Sequence, residues 1–437
     1  MVAEALLVGI ILTVIFFILL FYRVPIAIAI AVASCVTVTG LLTFNFGAFV
    51  GAQKIATGIN SFTLLAVPFF ILSGLMMNTG GIAKRLINFS EALLGRVPGS
   101  LALTNVAGNA LFGSLSGSGI AAAAAMGGTL APIEAEKGYE PKFSAAVNAT
   151  SAPVGQLIPP TAAFIVFSLA AGGASISALF LAGWIPGVLW ALAIGVVALV
   201  ISKKRNYATS DEPFDLKRLG KTFVEALPSL ALVFIIVGGI VAGIFTATEA
   251  AAIAVVYTFI LSVFVYKTIN FKALIVLLGD AAVMSAQIMF LVGASGVMGF
   301  VLSFTGIPQA LSDTILGIST NPIVILLLIN VILLIIGTFM DMAPAILIFT
   351  PILLPIVTSV GIDPVHFGVI MVFNLAVGTI TPPVGTVLFV ASNVAGVSIE
   401  KIMKEALPFF GAILVILMLV TYIPQISLWL PTILGQM

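Results

Sequence analysis

Apolar residues run through this chain in long blocks rather than in narrow stripes. A bilayer-crossing helix needs about 20 apolar residues in succession. Blocks of that length predict full crossings near 5–22, 25–43, 61–78, 142–170, 178–202, 223–244, 248–268, 281–304, 365–392 and 406–430. Two further apolar stretches, 98–132 and 321–357, are interrupted by small and polar residues. The first is broken by Gly113-Ser-Leu-Ser-Gly-Ser-Gly119, the second by Gly337-Thr-Phe-Met-Asp341. Each reads as a re-entrant hairpin that enters and leaves on one side. Segments 82–95, 270–280, 308–317 and 398–405 mix charge with apolar residues and are too short to span, so they are expected along the interface. The first apolar block lacks a basic stretch before it and a small-residue cleavage site after it, which predicts a retained span rather than a signal peptide.

One pattern is written twice. Residues 153–160 read Pro-Val-Gly-Gln-Leu-Ile-Pro-Pro, and 376–383 read Ala-Val-Gly-Thr-Ile-Thr-Pro-Pro. The register holds without a gap back to Pro132 and Pro355, passing Gly138 and Gly361, then Pro141 and Pro364. Proline has no N–H, so a Pro-Pro pair leaves the carbonyls four residues earlier without helical donors. These are the carbonyls of Gly155 and Gln156, and of Gly378 and Thr379. Unwound backbone at membrane depth is tolerated only against protein or a wet cavity. Paired broken helices in two halves of one chain point to the binding site of a secondary transporter. The predicted fold is an all-α polytopic membrane protein of two inverted repeats, each with one re-entrant hairpin and one broken helix. Repeat one covers 1–202, with hairpin 98–132 and broken helix 142–170. A cytoplasmic linker, 203–221, separates it from repeat two, 222–437, with hairpin 321–357 and broken helix 365–392.

Charge fixes the expected orientation. The linker holds six of the 17 Lys and Arg residues and should be cytoplasmic. Counting crossings outward from it leaves only Lys54 outside and both termini periplasmic or extracellular. Arg23, at a span junction, then anchors the cytoplasmic interface. Treating either interrupted stretch as a simple span would spoil this count. The chain is 61% apolar and 8% charged, against about 25% charged in soluble domains. Membrane lipid is therefore its solvent, and no nucleic-acid partner is expected. Cys35 is the sole cysteine, which excludes an internal disulfide framework.

The interior offers oxygen. Site one would join Ser114, Ser116, Gly117 and Ser118 to Asn148, Thr150, Ser151, Gly155, Ile158 and Pro160. Site two would join Gly337, Thr338 and Asp341 to Asn374, Gly378, Thr379, Thr381, Pro383 and Thr386. Freed carbonyls and hydroxyls suit a small hard cation, while half-helix N-termini suit an anion. Within these sets Ser116, Ser118, Asn148, Thr150, Ser151, Asn374 and Thr386, with Thr161, are the expected substrate contacts. No Lys or Arg falls in either hairpin tip or broken-helix core, so bound cations would have to help hold an anionic substrate, which couples the two. Proton coupling needs an embedded carboxylate or histidine. Only Asp341 qualifies by sequence, which favours Na⁺ at two or more sites. Thr246-Ala-Thr-Glu249 fits a capping box. His366 is expected at the outer interface.

These motifs resemble a known family. Gly113-Ser-Leu-Ser-Gly-Ser, Gly138-Tyr139 and Gly155-Gln-Leu-Ile-Pro-Pro160 look like the large membrane subunit of tripartite ATP-independent periplasmic (TRAP) transporters. Pro68-Phe-Phe-Ile-Leu-Ser-Gly74, Thr246-Ala-Thr-Glu-Ala250 and Gly378-Thr-Ile-Thr-Pro-Pro383 also fit, so the likeness spans nearly the whole chain. It implies a sodium-coupled elevator in the bacterial inner membrane that imports a small organic acid. It implies two partners, a small TRAP membrane subunit and a periplasmic substrate-binding protein. It places two sodium sites on the positions above, with Ser73 joining the first. Many members have serine where Thr161 stands, and the hydroxyl is kept. The stretch Phe164-Ile-Val-Phe-Ser-Leu-Ala-Ala-Gly172 looks closer to transporters of sugar acids such as sialic acid than to those of C4-dicarboxylates. An elevator would move both hairpins and broken helices past a scaffold built from 1–43, 178–202, 223–268 and 406–430.

Three other functions compete. Gly293-Ala-Ser-Gly296 with His366 matches a rhomboid-type intramembrane serine protease, through Ser295. A passive channel would also use polar hairpins. A single-component sodium–dicarboxylate carrier would work without a binding protein.

Overall fold

The computed structural model describes residues 2–22, 24–94, 97–207 and 215–437. Arg23, Arg96 and the middle of the linker lie outside the described residues. Among the described residues the chain is helical throughout, without strands. It opens with α1 (Val2–Phe21), α2 (Ile26–Leu41), α3 (Phe44–Ile59), α4 (Ala66–Thr79) and the amphipathic α5 (Ile82–Leu94). A hairpin follows, α6 (Ser100–Ser116) and α7 (Gly119–Glu136), and then a helix broken into α8 (Pro141–Ser151) and α9 (Ala162–Ala170). The long α10 (Ile176–Lys204) leads to the linker. The second half holds α11 (Leu216–Val241), α12 (Ala247–Phe259) and α13 (Phe271–Thr305), then the short α14 (Ile307–Ile318). Its hairpin is α15 (Pro322–Phe339) with α16 (Met342–Ser359), and its broken helix is α17 (Pro364–Gly378) with α18 (Thr386–Ala395). It closes with α19 (Ile399–Tyr422) and α20 (Gln425–Ile433). The order hairpin, broken helix, long helix thus occurs twice.

Local chemistry explains the boundaries. Gly117 stops α6 in a left-handed conformation (φ +64°), and Ser118 caps α7 by accepting the Ala121 N–H at 3.3 Å. Pro141 and Pro364 open α8 and α17, where a missing N–H costs nothing. Asp363 adds a cap, accepting from Val365 N at 2.7 Å. The Thr246–Glu249 capping box forms, with Thr246 N donating to Glu249 Oε2 at 2.8 Å.

The hydropathy reading misses some helices and cuts others. Segment 44–59, which lies between two expected spans, is α3, which packs on α2 and α13. Its polar Asn45, Gln53 and Lys54 hide it from a hydropathy window. Segments 270–280 and 398–405 are not separate interfacial pieces. They are the first turns of α13 and α19, because Lys272, Asp280, Lys401 and Lys404 decorate a helix without breaking it. Among the described residues, seven helices are long and apolar enough to cross a membrane. Two of them, α15 and α16, are limbs of the second hairpin, whose Gly337 packs on Gly378 at a helix break.

Packing divides the helices into two bodies, and here the expected scaffold is corrected. In one body α2, α3 and α4 pack on α13, and α4 packs on α12. In the other, α10, α19 and α20 pack with the hairpins and broken helices. Segments 178–202 and 406–430 therefore belong with the helices they were expected to hold still. The reason is visible in α10. Gly183 lets the Leu157 carbonyl and the Phe164 ring come close, and Gly187 admits Ile158. Trp190 donates its indole N–H to the Thr150 carbonyl at 2.9 Å and stacks on Phe373 of α17 at 4.6 Å. It is fully buried, and truncating such a residue costs roughly 3–5 kcal/mol.

An ionic knot ties α8, α10 and α19 together. Glu405 bonds Arg205 at 2.7 Å and Lys142 at 2.9 Å, and Lys142 reaches Glu140 at 3.0 Å. Glu405 is largely covered, whereas Lys142 is well exposed, so screening reduces the yield. Glu405→Gln is expected to destabilise the purified protein by about 1–2 kcal/mol, read as a lower melting temperature. An unchanged melting temperature would show the knot to be ornamental.

Candidate functional site

Each hairpin meets its broken helix where two glycines cross. A Cβ on Gly155 would fall onto the backbone of Gly113, and one on Gly113 would stand 2.7 Å from the Gly155 Cα. In the second half a Cβ on Gly378 would fall onto Gly337, and one on Gly337 would stand 3.1 Å from the Gly378 Cα. Real Cβ atoms do not approach so closely, so glycine is the residue that allows the backbones to touch. Gly113 is part of the site although sequence reading used it only as a hairpin boundary. Both Pro-Pro bonds, Pro159–Pro160 and Pro382–Pro383, are cis.

Buried asparagines latch each crossing one or two turns before the glycine. Asn109 of α6 donates to Ser151 Oγ at 2.8 Å and to Asn148 Oδ1 at 3.0 Å. Asn374 of α17 donates to Asn330 Oδ1 of α15 at 2.6 Å, and Asn330 donates on to Thr421 at 3.1 Å. Ser151 and Asn374 occupy the same place in the doubled pattern. Asn109 and Asn330 went unnoticed by sequence, since a lone amide in an apolar helix has no spacing signature.

The predicted site residues separate into groups. Asn148, Thr150, Ser151 and Asn374 are buried and bond to protein, Thr150 to the Ala146 carbonyl at 2.7 Å and Asn148 to the Ala123 carbonyl at 2.9 Å, while Asn374 uses its Nδ2 and leaves Oδ1 without a partner. They brace the site. Of Ser114, Ser116, Gly117 and Ser118, Gly117 meets the first break, its Cβ position 3.3 Å from the Pro160 carbonyl oxygen, and Ser114 borders the same apolar groove as Ile158. Ser114 bonds the Leu111 carbonyl at 2.8 Å. Thr161 caps α9 by accepting from Ala163 N at 3.2 Å. No backbone donor among the described residues reaches the carbonyls of Gly155 or Gln156. Ile158 faces α10. Ser73 turns toward Thr258 of α12, whose hydroxyl donates at 3.5 Å, while its neighbour Gly74 touches the backbone of Ser116.

At the second break, Thr379 and Thr381 donate to the Ala376 and Val377 carbonyls at 2.7 and 2.8 Å and keep lone pairs free. Thr338 bonds the Ile335 carbonyl at 2.7 Å, and its own carbonyl accepts from Val384 N at 3.2 Å. Neither the Gly378 nor the Thr379 carbonyl is free as expected: the first accepts from Thr381 N at 3.0 Å and the second from Val387 N at 3.0 Å. The freed carbonyl reading therefore holds better for the first break than for the second. Asp341 precedes α16 without a side-chain capping bond, and it is exposed, as are Pro382, Pro383 and Val384. The first break is sealed by protein; the second is open on one side.

The halves meet at the tip of the first hairpin. A Cβ on Gly119 would lie 3.2 Å from Val387, 3.3 Å from Pro153 and 3.4 Å from the Gln156 amide carbon. Beside this junction Gln156 Oε1 and Thr386 Oγ1 are buried without partners. Orphaned buried polar atoms are rare in native proteins and call for an explanation. Gln156 was not among the expected contacts. Its signal lay in the doubled pattern, which pairs it with Thr379.

Two expectations about titratable groups need correction. His366 is not interfacial. It is buried, 3.3 Å from the Thr421 carbonyl. Ser295 lies on α13, whose neighbouring glycines pack on Lys54 and Ile55 of α3, in the other body. No serine–histidine pair forms, so the protease reading fails. Nor is Asp341 the interior carboxylate: it is exposed, whereas Glu134 of α7 is completely buried.

Two helical hairpins closing on two broken helices define a multi-pass secondary transporter. Comparison with known proteins agrees. Residues 13–426 match the family model of the tripartite ATP-independent periplasmic transporter, DctM component, and the chain belongs to this TRAP large-permease family. It is 49% identical to the uncharacterized protein YgiK of Salmonella typhimurium, over 95% of both chains. It is 41% identical to the isethionate TRAP transporter permease protein DctMQ of Oleidesulfovibrio alaskensis, over 93% of this chain and 64% of that one. Identity to the sialic acid TRAP transporter large permease protein SiaM of Vibrio cholerae is 39%, over 90% and 91%. Identity to the C4-dicarboxylate TRAP transporter large permease protein DctM of Rhodobacter capsulatus is 38%, over 88% and 90%. The fold is similar to the crystal structure of the Alcanivorax borkumensis YdaH transporter, with a TM-score of 0.63 at 16% identity over 86% of this chain and 88% of that one. The three TRAP relatives carry the name of permeases, not of enzymes. The family implies a small membrane subunit and a periplasmic binding protein as partners.

Proposed function

We propose that this chain is the translocating subunit of a sodium-coupled importer of a small organic acid in the bacterial inner membrane, with both termini periplasmic. The doubled glycine crossing carries the reading. It brings the hairpin that carries Ser114 and Ser116 against the break where the Gly155 and Gln156 carbonyls lack backbone donors, and the hairpin that carries Thr338 against the break that carries Thr379 and Thr381. These are hard oxygen donors without a neighbouring Lys or Arg, a setting that suits Na⁺. The substrate lies between them, its anionic head at the N-terminus of α7 near Ser118. A sugar acid such as sialic acid is our first candidate, because Gln156 Oε1 needs a donor and hydroxyl groups supply one. The stretch 164–172 does not support this choice: Phe164 packs on Gly183 and Phe167 on Gly368, inside the body. A C4-dicarboxylate is the second reading, favoured by relatives of nearly equal identity.

Each hydroxyl ligand contributes about 1 kcal/mol, so Ser116→Ala and Thr379→Ala should each raise the half-saturating sodium concentration by roughly five-fold. Uptake of labelled substrate is measured with competing sialic acid, succinate or isethionate. Unchanged sodium dependence in both variants would remove the site assignments. Competition by succinate alone would favour the dicarboxylate reading.

A further inference from the structure

The function above leaves Glu134 unused. It sits in the last turn of α7, completely buried, and its carboxylate has no polar neighbour beyond the loosely placed Ser144 and Asn105 side chains. Asn105 of α6 and Ser144 of α8 face this carboxylate, and Asn105 Nδ2 and Ser144 Oγ are buried with no other partner. Between these groups is an enclosed void of about 10 Å³ for a water centre, near the least that holds one water. Much of its remaining wall is methyl: Ala131, Ala145, Ala391, Val394 and Ala395.

Three buried polar groups around a void of one water's size can be bridged by a single water. A metal cation fits poorly, because it needs about six oxygens and half of this wall is hydrocarbon. Among the described residues no positive charge borders the void. On α8, Lys142 is committed to Glu140 and Glu405. On α5, Arg85 lies over the Tyr266 ring and Glu91 pairs with Arg218, while Lys84 lines a separate surface pocket. On α18 the groups lining the void are apolar. On α7 itself Glu136 and Lys137 are exposed. Burial pushes the nearby Tyr139 hydroxyl up to about 12, so it stays neutral across the physiological range. An isolated buried carboxylate is too costly to keep charged, and it neutralises instead.

We propose that Glu134, Asn105 and Ser144 form a proton-binding site around one ordered water, and that the neutral carboxyl lets the first hairpin pack closed. The proton adds to one carboxylate oxygen and is released to bulk water when the site opens. A deprotonated Glu134 would draw in solvent and hold α7 away from α8 and α18.

The test is infrared spectroscopy of the purified full-length protein at neutral pH, beside Glu134→Gln, which keeps the shape and cannot titrate. The wild type should show a protonated-carboxyl band that exchanges slowly with D₂O and is absent from E134Q. Ser144→Val should shift that band in frequency, a readout available even if E134Q fails to fold. In proteoliposomes with the complete transporter, uptake should fall at alkaline pH in the wild type and hold in E134Q. A carboxyl band that E134Q leaves intact and S144V leaves unshifted overturns the proposal, and so does equal alkaline loss in wild type and E134Q.

Discussion

Gly155→Ala should abolish uptake, and Gly378→Ala should do nearly the same. The added methyl at either position falls onto the backbone of the opposing glycine. A flexible side chain could swing aside; a backbone carbonyl and Cα cannot. Both helices must therefore separate, which breaks the Asn109–Ser151 or Asn374–Asn330 latch and pulls the hairpin oxygens off the break. Overpacking of this kind costs about 1–3 kcal/mol in stability. Its effect on transport is larger, since ligands displaced by an ångström no longer share an ion. Gly128→Ala is the control. Gly128 lies exposed on α7, a methyl added there would meet nothing within 4 Å, and Ala is the better helix former by roughly 0.5–1 kcal/mol. Uptake should survive G128A and fail in G155A. Comparable uptake by the two would mean that the crossing is a packing convenience.

The second large effect concerns motion. We propose that the body containing both hairpins, both broken helices, α10 and α19 moves as a unit against α2–α4 and α11–α13, with α5 and α14 as links. Gly74 of α4 and Ser116 at the first hairpin tip touch across this boundary: a Gly74 Cβ position lies 3.7 Å from the Ser116 Cα, within reach of a disulfide. In a background without Cys35, oxidising the pair G74C and S116C should stop uptake. Reduction should restore it to the level of S116C alone. Full crosslinking with undiminished uptake would replace the elevator with gating around a fixed site.

What could be read from the sequence follows from what sequence encodes locally. A Pro-Pro pair breaks a helix whatever surrounds it, so both breaks and both hairpin interruptions were legible, with Gly117, Ser118 and Gly337 in place. Which helices share a body was not legible, because hydropathy reports contact with lipid and not the identity of neighbours. That is why α10 and α19 were assigned to the wrong side, although Gly183, Gly187 and Trp190 mark the face α10 turns to the break. Glu134 escaped notice because one carboxylate near a hairpin end looks like an interfacial charge. The role of Asn148 and Thr150 as braces rather than substrate contacts needed the hydrogen bonds themselves.

The central claim is that a sodium gradient drives uptake through this chain with the help of separate proteins. The most direct measurement is uptake of labelled organic acid into proteoliposomes that hold this chain with its small membrane subunit. Inward sodium and potassium gradients are compared, with and without the periplasmic binding protein. The account predicts accumulation only with sodium and the binding protein together. Equal uptake in potassium would contradict sodium coupling, and full uptake without the binding protein would make the chain a single-component carrier.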